Sequence, residues 1–421
     1  MPPLPRAAGS GFNPYVWAAT VDEVAARHGL SPAYVLRFDA NVPAFPAPLP
    51  VPAESALADR GEYPEGSYRE LREAAAGYAG CEPDEVAVDA GADGLIALVA
   101  RTYLAPGALA VTESPTYPLY AIASRIEGAD VRAVPRDLDA LAEAGREARV
   151  VWLCNPGNPT GELWPAAELA RLAEALPDAL VAVDEAYFEY AGETVAGAAR
   201  ELPNLVAIRT LSKAFGLAGL RVGYAVASRD VAAVLSARRS PAPIATTAAA
   251  LAAAALREPR RIESEVTATL AERERVRSAL AAAGFETPVV HANFVVARSP
   301  SAPELAADLE RRGLVVRAYA DSLRITVRSP ADDDLVLRVL GAEPPPSERR
   351  SATVFREGVR ASLVLDGSGR VRSATGDLRR DRELERRAAD SSFDLELVAD
   401  EGAPDADVEG ALDEALALAE G

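Results

Sequence analysis

Between about residue 63 and residue 341 the chain alternates short apolar runs with amphipathic stretches. Residues 108–111, 150–153, 180–183 and 205–208 are apolar from end to end, and helical patterns such as 165–175 lie between them. That rhythm predicts an α/β domain on a largely parallel sheet. Further along, short strands at 293–297 and 323–327 flank a helix at 302–312, so a second, smaller α/β lobe is expected. The most apolar tract, 241–256, is alanine-rich and interrupted by threonine and proline. It reads as a soluble helix and not as a membrane span. Residues 1–52 are rich in proline and read as an irregular arm. Pro344-Pro-Pro-Ser-Glu reads as a linker, and residues 349–421 carry their own turn signal, Asp366-Gly-Ser-Gly. The expected division is an arm at 1–52, a large domain at about 53–240, a small lobe at about 241–343 (1–343 together), a linker at 344–348 and an appendage at 349–421.

Composition narrows the chemistry. The chain has 421 residues, a net charge of −19 and 49% apolar residues, enough for a substantial core and a poor match to nucleic acid or an anionic membrane. Two cysteines, Cys81 and Cys154, cannot build a disulfide framework and fit a reducing compartment. The first residues lack a basic segment followed by an apolar core, so no secretion signal is read and a cytoplasmic location is expected. His28 and His291 are too few and too far apart to suggest a metal site. Among the 44 basic residues there is a single lysine, Lys213; the other 43 are arginine. Arginine can replace lysine as a surface cation but not where an unprotonated amine must attack a carbonyl, because its guanidinium stays charged. Lys213 is therefore the first candidate for chemistry.

Four segments that follow expected strands surround it in the sequence order. Gly91-Ala-Asp-Gly-Leu-Ile opens a helix whose free N–H groups can hold a phosphate. Asn155-Pro-Gly-Asn-Pro-Thr-Gly is a turn that holds an asparagine amide. Val181-Ala-Val-Asp-Glu-Ala-Tyr is an apolar strand ending in an acid. Thr210-Leu-Ser-Lys-Ala-Phe is followed by Gly219-Leu-Arg-Val-Gly. Taken singly, each has a structural reading: a helix cap, a proline turn, a strand-end acid, a surface lysine.

Taken together and in this order, they resemble the class I/II aminotransferases of fold type I, over about residues 30–341. Arg209-Thr-Leu-Ser-Lys-Ala-Phe-Gly-Leu-Ala-Gly-Leu-Arg and the later Leu323-Arg-Ile-Thr-Val are most similar to the histidinol-phosphate aminotransferases. The resemblance implies a pyridoxal 5′-phosphate enzyme built as a large, mostly parallel sheet domain with a small α/β lobe. It implies that Lys213 bonds to the cofactor aldehyde and afterwards moves the substrate proton, and that Asp184 pairs with the pyridine nitrogen. Asn158 and Tyr187 would bond the ring's phenolic oxygen, and Tyr117 would stack on the ring. Thr210, Ser212, Arg221 and the amides of Ala92 and Asp93 would hold the phosphate. Tyr63 would reach the phosphate of a second subunit, which implies a homodimer. Arg324, assisted by Arg317, would bind the acidic group of both an amino donor and a phosphorylated amino substrate, and Asn41 would close over it. Two positions depart from the pattern: Val42-Pro43 follow Asn41, and Gly94 stands where the family has an acid. Transamination between histidinol phosphate and 2-oxoglutarate is the expected reaction, ahead of an aromatic aminotransferase, a phospho-amino-acid decarboxylase of the same fold, or a scaffold with a relict site.

The appendage reads ββαβα and resembles the first half of imidazoleglycerol-phosphate dehydratase, chiefly from Thr375-Gly to Phe393-Asp-Leu. The positions that align with that family's histidines hold Arg382, Asp390, Glu409 and Gly410, so the resemblance implies a half-domain without a metal centre. Its last helix carries an apolar stripe, Val408, Leu412, Ala415, Leu416 and Ala419, that must be covered, either by the host domain or by a second copy of the appendage. On this reading the appendage is ordered and stabilises the dimer without touching the chemistry.

Overall fold

The computed structural model describes residues 13–45, 61–365, 371–374, 384, 388 and 392–420. Their chain forms two compact units, one of residues 13–16 and 61–260, the other of residues 17–45 and 261–420. The division thus falls at 260 and not near 240. Helix Thr246–Arg257 belongs to the first unit because it packs on helix Arg69–Ala79.

Strand β1 (Leu36–Arg37) belongs to the second unit. The first unit holds β2 (Val86–Asp89), β3 (Leu109–Ser114), β4 (Asp130–Pro135), β5 (Val150–Cys154), β6 (Leu180–Asp184), β7 (Leu205–Thr210) and β8 (Gly223–Ala227). They form one sheet in the order β2-β8-β7-β6-β5-β3-β4. Every pairing from β4 across to β7 is parallel, and β8 runs antiparallel to β7 and β2. Strands β5 to β7 are buried at every position, as expected of parallel strands covered on both faces, and the antiparallel β8 is buried throughout as well. The expected runs at 150–153, 180–183 and 205–208 therefore begin where the strands begin and are extended by one or two residues. Because the parallel strands share a direction, their C-terminal residues Ser114, Cys154, Asp184 and Thr210 lie along one edge, where ligands of open α/β sheets are held.

In the second unit, β9 (Phe294–Arg298), β11 (Arg317–Ala318) and β12 (Ser322–Thr326) form an antiparallel sheet in the order β11-β12-β9, and β1 pairs in parallel with β10 (Leu314–Val315). Leu36, Phe38, Leu280, Leu323 and Ile325 share its core. The arm is not irregular throughout. Helix Val21–His28 starts at a capping box, in which the Thr20 hydroxyl accepts from the Glu23 N–H (3.2 Å) and the Glu23 carboxylate from the Thr20 N–H (2.7 Å). It ends at Gly29 with φ +66°. The rest of the arm, 1–12 and 46–52, lies outside the described residues.

The appendage departs from ββαβα. Its first expected strand is a hairpin: β13 (Ser351–Arg356) and β14 (Val359–Val364) are joined by Glu357-Gly358, with Gly358 at φ +71°. With β15 (Val371–Ala374) and β16 (Asp394–Ala399) they make a four-stranded sheet in the order β13-β14-β16-β15. The Asp366 turn, Arg382, Asp390 and most of the expected polar helix lie outside the described residues. The terminal helix Asp405–Glu420 packs on this sheet, so Val408, Leu412, Ala415 and Ala419 meet Val359, Ala361, Leu363, Leu395 and Leu397. The stripe is thus covered by the appendage's own sheet and not by the host domain or a second copy. By the strand period of two, Arg360, Ser362 and Glu396 point to the opposite face, and they too are buried. The linker is pinned as well, since Arg275 donates to the Pro345 carbonyl at 2.7 Å.

Truncating the fully buried Leu412 to alanine leaves a cavity under this sheet. Urea unfolding of the full chain is expected to show a loss of about 2–5 kcal/mol for Leu412→Ala. An unchanged unfolding curve would mean that the helix does not cover the sheet.

Candidate active site

At the C-terminal edge of the first unit's sheet, the expected cofactor residues come together on consecutive strand ends. Asp184 is the last residue of β6; its Cα lies in register with Cys154 of β5 and Ile208 of β7. Its carboxylate accepts from the Tyr120 hydroxyl (2.7 Å) and the Ala186 N–H (3.1 Å). Burial pushes the Asp184 pKa up to about 6, while these hydrogen bonds and the nearby Lys213 pull it down. Burial and the Asp184 charge together raise the Tyr120 pKa, so Tyr120 stays a proton donor. Tyr120 is itself fixed: its ring stacks on Trp152 of β5 at 5.6 Å and 7°, and Trp152 donates to Ser124 at 3.1 Å. Sequence reasoning missed Tyr120. The only signal was its place three residues after Tyr117, as the second residue of helix Leu119–Ile126.

Lys213 follows β7, and its amine lies 5.8 Å from the centre of the Tyr187 ring. Tyr187 follows Asp184 at the start of helix Phe188–Ala191. Beneath it, buried Arg209 pairs with Glu185 (3.0 Å), donates to Thr194 (2.6 Å) and stacks on Phe188 (3.6 Å), which locks the ends of β6 and β7 together. Asn158 sits in the loop after β5. That loop closes on itself through Gly157 N–H to Glu162 O (2.8 Å) and Gly161 N–H to Gly157 O (2.8 Å). Arg136 pairs with the buried Glu113 and donates to the Cys154 and Glu162 carbonyls (3.1 and 3.0 Å). Cys154 is buried, and that burial raises its thiol pKa, which leaves it a packing residue.

A third group of side chains forms a cradle for an anion. Helix Gly91–Tyr103 presents the N–H groups of its first turn, including Ala92 and Asp93. The Thr210 and Ser212 hydroxyls lie 2.9 Å apart beside it. Arg221, at φ +53°, pairs with Asp93 at 2.9 Å, and Asp93 also accepts from the Tyr117 hydroxyl at 3.2 Å. The side chain of Asp93, not only its amide, thus ties Arg221 to Tyr117, a role the sequence did not reveal. The cradle depends on two glycines. A Cβ on Gly223 would lie 2.6 Å from the Gly91 carbonyl carbon and 2.9 Å from the Ala92 nitrogen, and a Cβ on Gly91 would lie 3.0 Å from the Arg221 guanidinium. Tyr63 is 93% exposed.

The expected substrate residues are found in the second unit. Arg324 on β12 is buried, donates to the Asp39 carbonyl (2.6 Å) and lies 5.5 Å over the Phe294 ring. Arg317 on β11 is its cross-strand neighbour, so both arginines belong to one sheet face. Asn41, at φ +53°, donates its N–H to Thr326 (3.0 Å), accepts from the Thr326 hydroxyl (3.0 Å) and offers its carbonyl to Asn293 (3.1 Å).

Residues 34–340 match the family Aminotransferase class I and II. The chain belongs to that family. Histidinol-phosphate aminotransferase 2 of Caulobacter vibrioides is 37% identical over 80% of this chain and 93% of its own length. An aromatic amino acid aminotransferase of Mycobacteroides abscessus is 35% identical over 69% of this chain and 88% of its own. The crystal structure of histidinol-phosphate aminotransferase from Sinorhizobium meliloti in complex with pyridoxal 5′-phosphate superposes with a TM-score of 0.72 at 28% identity, covering 80% of this chain and 99% of that one. The fold is that of the fold type I transferases, the enzyme is an aminotransferase, and its cofactor is pyridoxal 5′-phosphate. The residues present fit that group: a glycine-lined cradle suited to an anion, a buried carboxylate for a ring N–H, and a lysine amine beside the Tyr187 ring. No helix among the described residues is long and apolar enough to cross a membrane.

Two outcomes follow. Lys213→Arg keeps the charge but removes the amine, so borohydride should fix cofactor on residue 213 of the wild type alone. Activity should fall at least about a thousandfold, on the order of 4 kcal/mol of barrier. Near-normal turnover in the variant would remove Lys213 from the chemistry. For Asp184 in the cofactor-free protein the sign is that of a raised acid. Its folded pKa of about 6 exceeds the ordinary 3.8, so ionisation opposes folding and stability is lost as pH rises from about 4 through 6. The melting temperature of cofactor-free Asp184→Asn should therefore gain on the wild type over that window, and a gap independent of pH would contradict it.

Proposed function

We propose that this aminotransferase exchanges the amino group of histidinol phosphate with 2-oxoglutarate, giving glutamate. The supporting observation is the run of relatives named histidinol-phosphate aminotransferases, 34–37% identical over about four-fifths of the chain. Histidinol phosphate has a phosphate and no α-carboxylate, so one cationic fork must take the phosphate and the glutamate carboxylate in turn. Arg324, with Arg317 across the strand pair, supplies that fork, and Asn41 bonds the bound substrate.

When bound, pyridoxal 5′-phosphate supplies an aldehyde that bonds amines and a ring that spreads negative charge. The protein does the rest. Asp184 holds a proton on the ring nitrogen, and Tyr120 keeps the carboxylate aimed. Lys213 takes the proton from the substrate carbon as general base and returns it as general acid, and the Tyr187 and Asn158 side chains bond the ring oxygen. Tyr117 would stack on the ring. Thr210, Ser212, Arg221 and the Ala92 and Asp93 amides carry the phosphate charge. The working form in this reading is a cytoplasmic homodimer, with the exposed Tyr63 reaching the partner's cofactor phosphate. The appendage is read as a dehydratase-like half-domain that has lost its metal-binding histidines.

A second reading, an aromatic amino acid aminotransferase, draws on relatives 35–37% identical over about two-thirds of the chain and on the departures at Val42, Pro43 and Gly94. A half-reaction screen separates them, following cofactor absorbance with histidinol phosphate, phenylalanine, histidine and phosphothreonine. Arg324→Ala should raise the KM for histidinol phosphate and for glutamate by tenfold to a hundredfold, from roughly 1.5–3 kcal/mol of lost charged hydrogen bonding. A loss confined to glutamate, with phenylalanine the best donor, would favour the aromatic reading.

A further inference from the structure

The second face of the appendage sheet buries polar and charged side chains beside Val364. It carries Arg360, Ser362 and Glu396, each no more than 3% exposed, and these meet Arg328 and Asp332 of the same unit. Glu396 pairs with Arg328 and, at 3.0 Å, with Arg360. Arg328 pairs with Asp332 at 3.1 Å, and Asp332 accepts from Thr353 (2.7 Å) and Ser362 (2.9 Å). The Arg328 and Arg360 guanidinium groups are thus paired with the Glu396 and Asp332 carboxylates in a buried site. Burial disfavours the Arg328 charge, but Glu396 and Asp332 more than offset that and raise its pKa. Replacing buried ion pairs by apolar side chains of similar volume is often neutral or stabilising, so stability alone does not account for the charges here.

The reason lies in what the two arginines hold. Arg360 donates to the Val35 carbonyl at 2.9 Å, at the start of β1. Arg328 reaches the Arg37 carbonyl at 3.5 Å, at the end of β1, and lies 5.5 Å over the Phe38 ring. Val364 packs on Ala44 and Phe45. The appendage therefore grips residues 35–45 on either side of Asn41. From the other direction the same stretch is held by β12 and its neighbours, through Thr326, Arg324 and Asn293. Arg328 follows Thr326 by two residues and joins both grips. Asn41 itself sits at φ +53°, in the left-handed region that asparagine adopts more readily than other non-glycine residues, and the contacts on both sides hold it there.

We propose that the appendage is a substrate-positioning element of this aminotransferase, in which Glu396 and Arg360 act through Arg328 to hold the Asn41 segment in its binding geometry. This rests on the reading that Asn41 and Arg324 bind substrate. It replaces the expectation that the appendage leaves the chemistry untouched. The contacts named above all lie within the second unit, so the effect is expected on substrate binding.

The test uses the full-length holoenzyme with histidinol phosphate and with glutamate as probes. Glu396→Gln keeps shape and removes the charge that balances two arginines. It should raise KM about tenfold for both probes, change kcat less than twofold, leave the cofactor spectrum and affinity as in the wild type, and speed amide exchange in residues 36–45. Leu412→Ala weakens the opposite face of the same sheet and controls for loss of stability; it should lower the melting temperature without moving KM or that exchange. KM within twofold of wild type in Glu396→Gln, or an equal rise in Leu412→Ala, overturns the proposal. Asn41→Ala separates the premise from the inference. If it raises KM while Glu396→Gln does not, the positioning role alone fails; if it leaves KM unchanged for both probes, the substrate reading fails and the inference with it.

Discussion

A carboxylate buried at the end of a parallel strand is the constraint from which the active-site edge follows. Asp184 cannot be ionised cheaply where it lies, and its pKa near 6 expresses that cost. The surroundings are arranged to keep it there nonetheless: Tyr120 donates to it, Trp152 carries Tyr120, and Glu185 and Arg209 anchor the strand ends beside it. A ligand that brings a positively polarised N–H to it would add to the stabilisation that Tyr120, the Ala186 N–H and Lys213 already give. The site is thus poised for a protonated heterocycle, and the protein without one carries an acid in an unfavourable state.

Most of this edge was legible in the sequence. Parallel strands buried on both faces must be apolar throughout, so the runs ending near Cys154, Asp184 and Thr210 could be read almost to the residue. The residues that follow them are turn formers and polar groups, which is where chemistry stands out. What could not be read was partnership across distance. Tyr120 and Asp184 are 64 residues apart, and Arg221 and Asp93 are 128 apart, and no local pattern marks either pair. Helix Val21–His28 did carry its signal, Thr20 and Glu23 spaced as a capping box, but the prolines around it dominated the reading. The hairpin at Glu357-Gly358 was missed because a single glycine interrupts two β-rich runs that read as one strand.

The arginine-rich composition has a structural counterpart. Arginine forks fill sites where several acceptors converge: Arg136 on Glu113 and two carbonyls, Arg209 on Glu185 and Thr194, Arg275 on Glu272, Asp334 and two carbonyls. A lysine ammonium carries fewer donors and no planar fork, and would leave some of these acceptors unmet. The one lysine of the chain, at 213, is proposed to stand where the guanidinium's permanent charge would be a defect.

The appendage sheet shows two solutions to burial on opposite faces of the same strands. On one face Val359, Ala361, Leu363, Leu395 and Leu397 pack under the terminal helix, a contact that tolerates small shifts because dispersion and hydrophobic burial have little directionality. On the other, Arg360, Ser362 and Glu396 engage groups with fixed hydrogen-bond directions. Slipping that face by one residue would bury unpaired charges, so it admits one register only. A sheet that served merely to shield apolar surface would need only the first kind of contact. Directional contacts are required where the position of the neighbour matters, and here the neighbour is the segment of chain that carries Asn41 in a left-handed conformation.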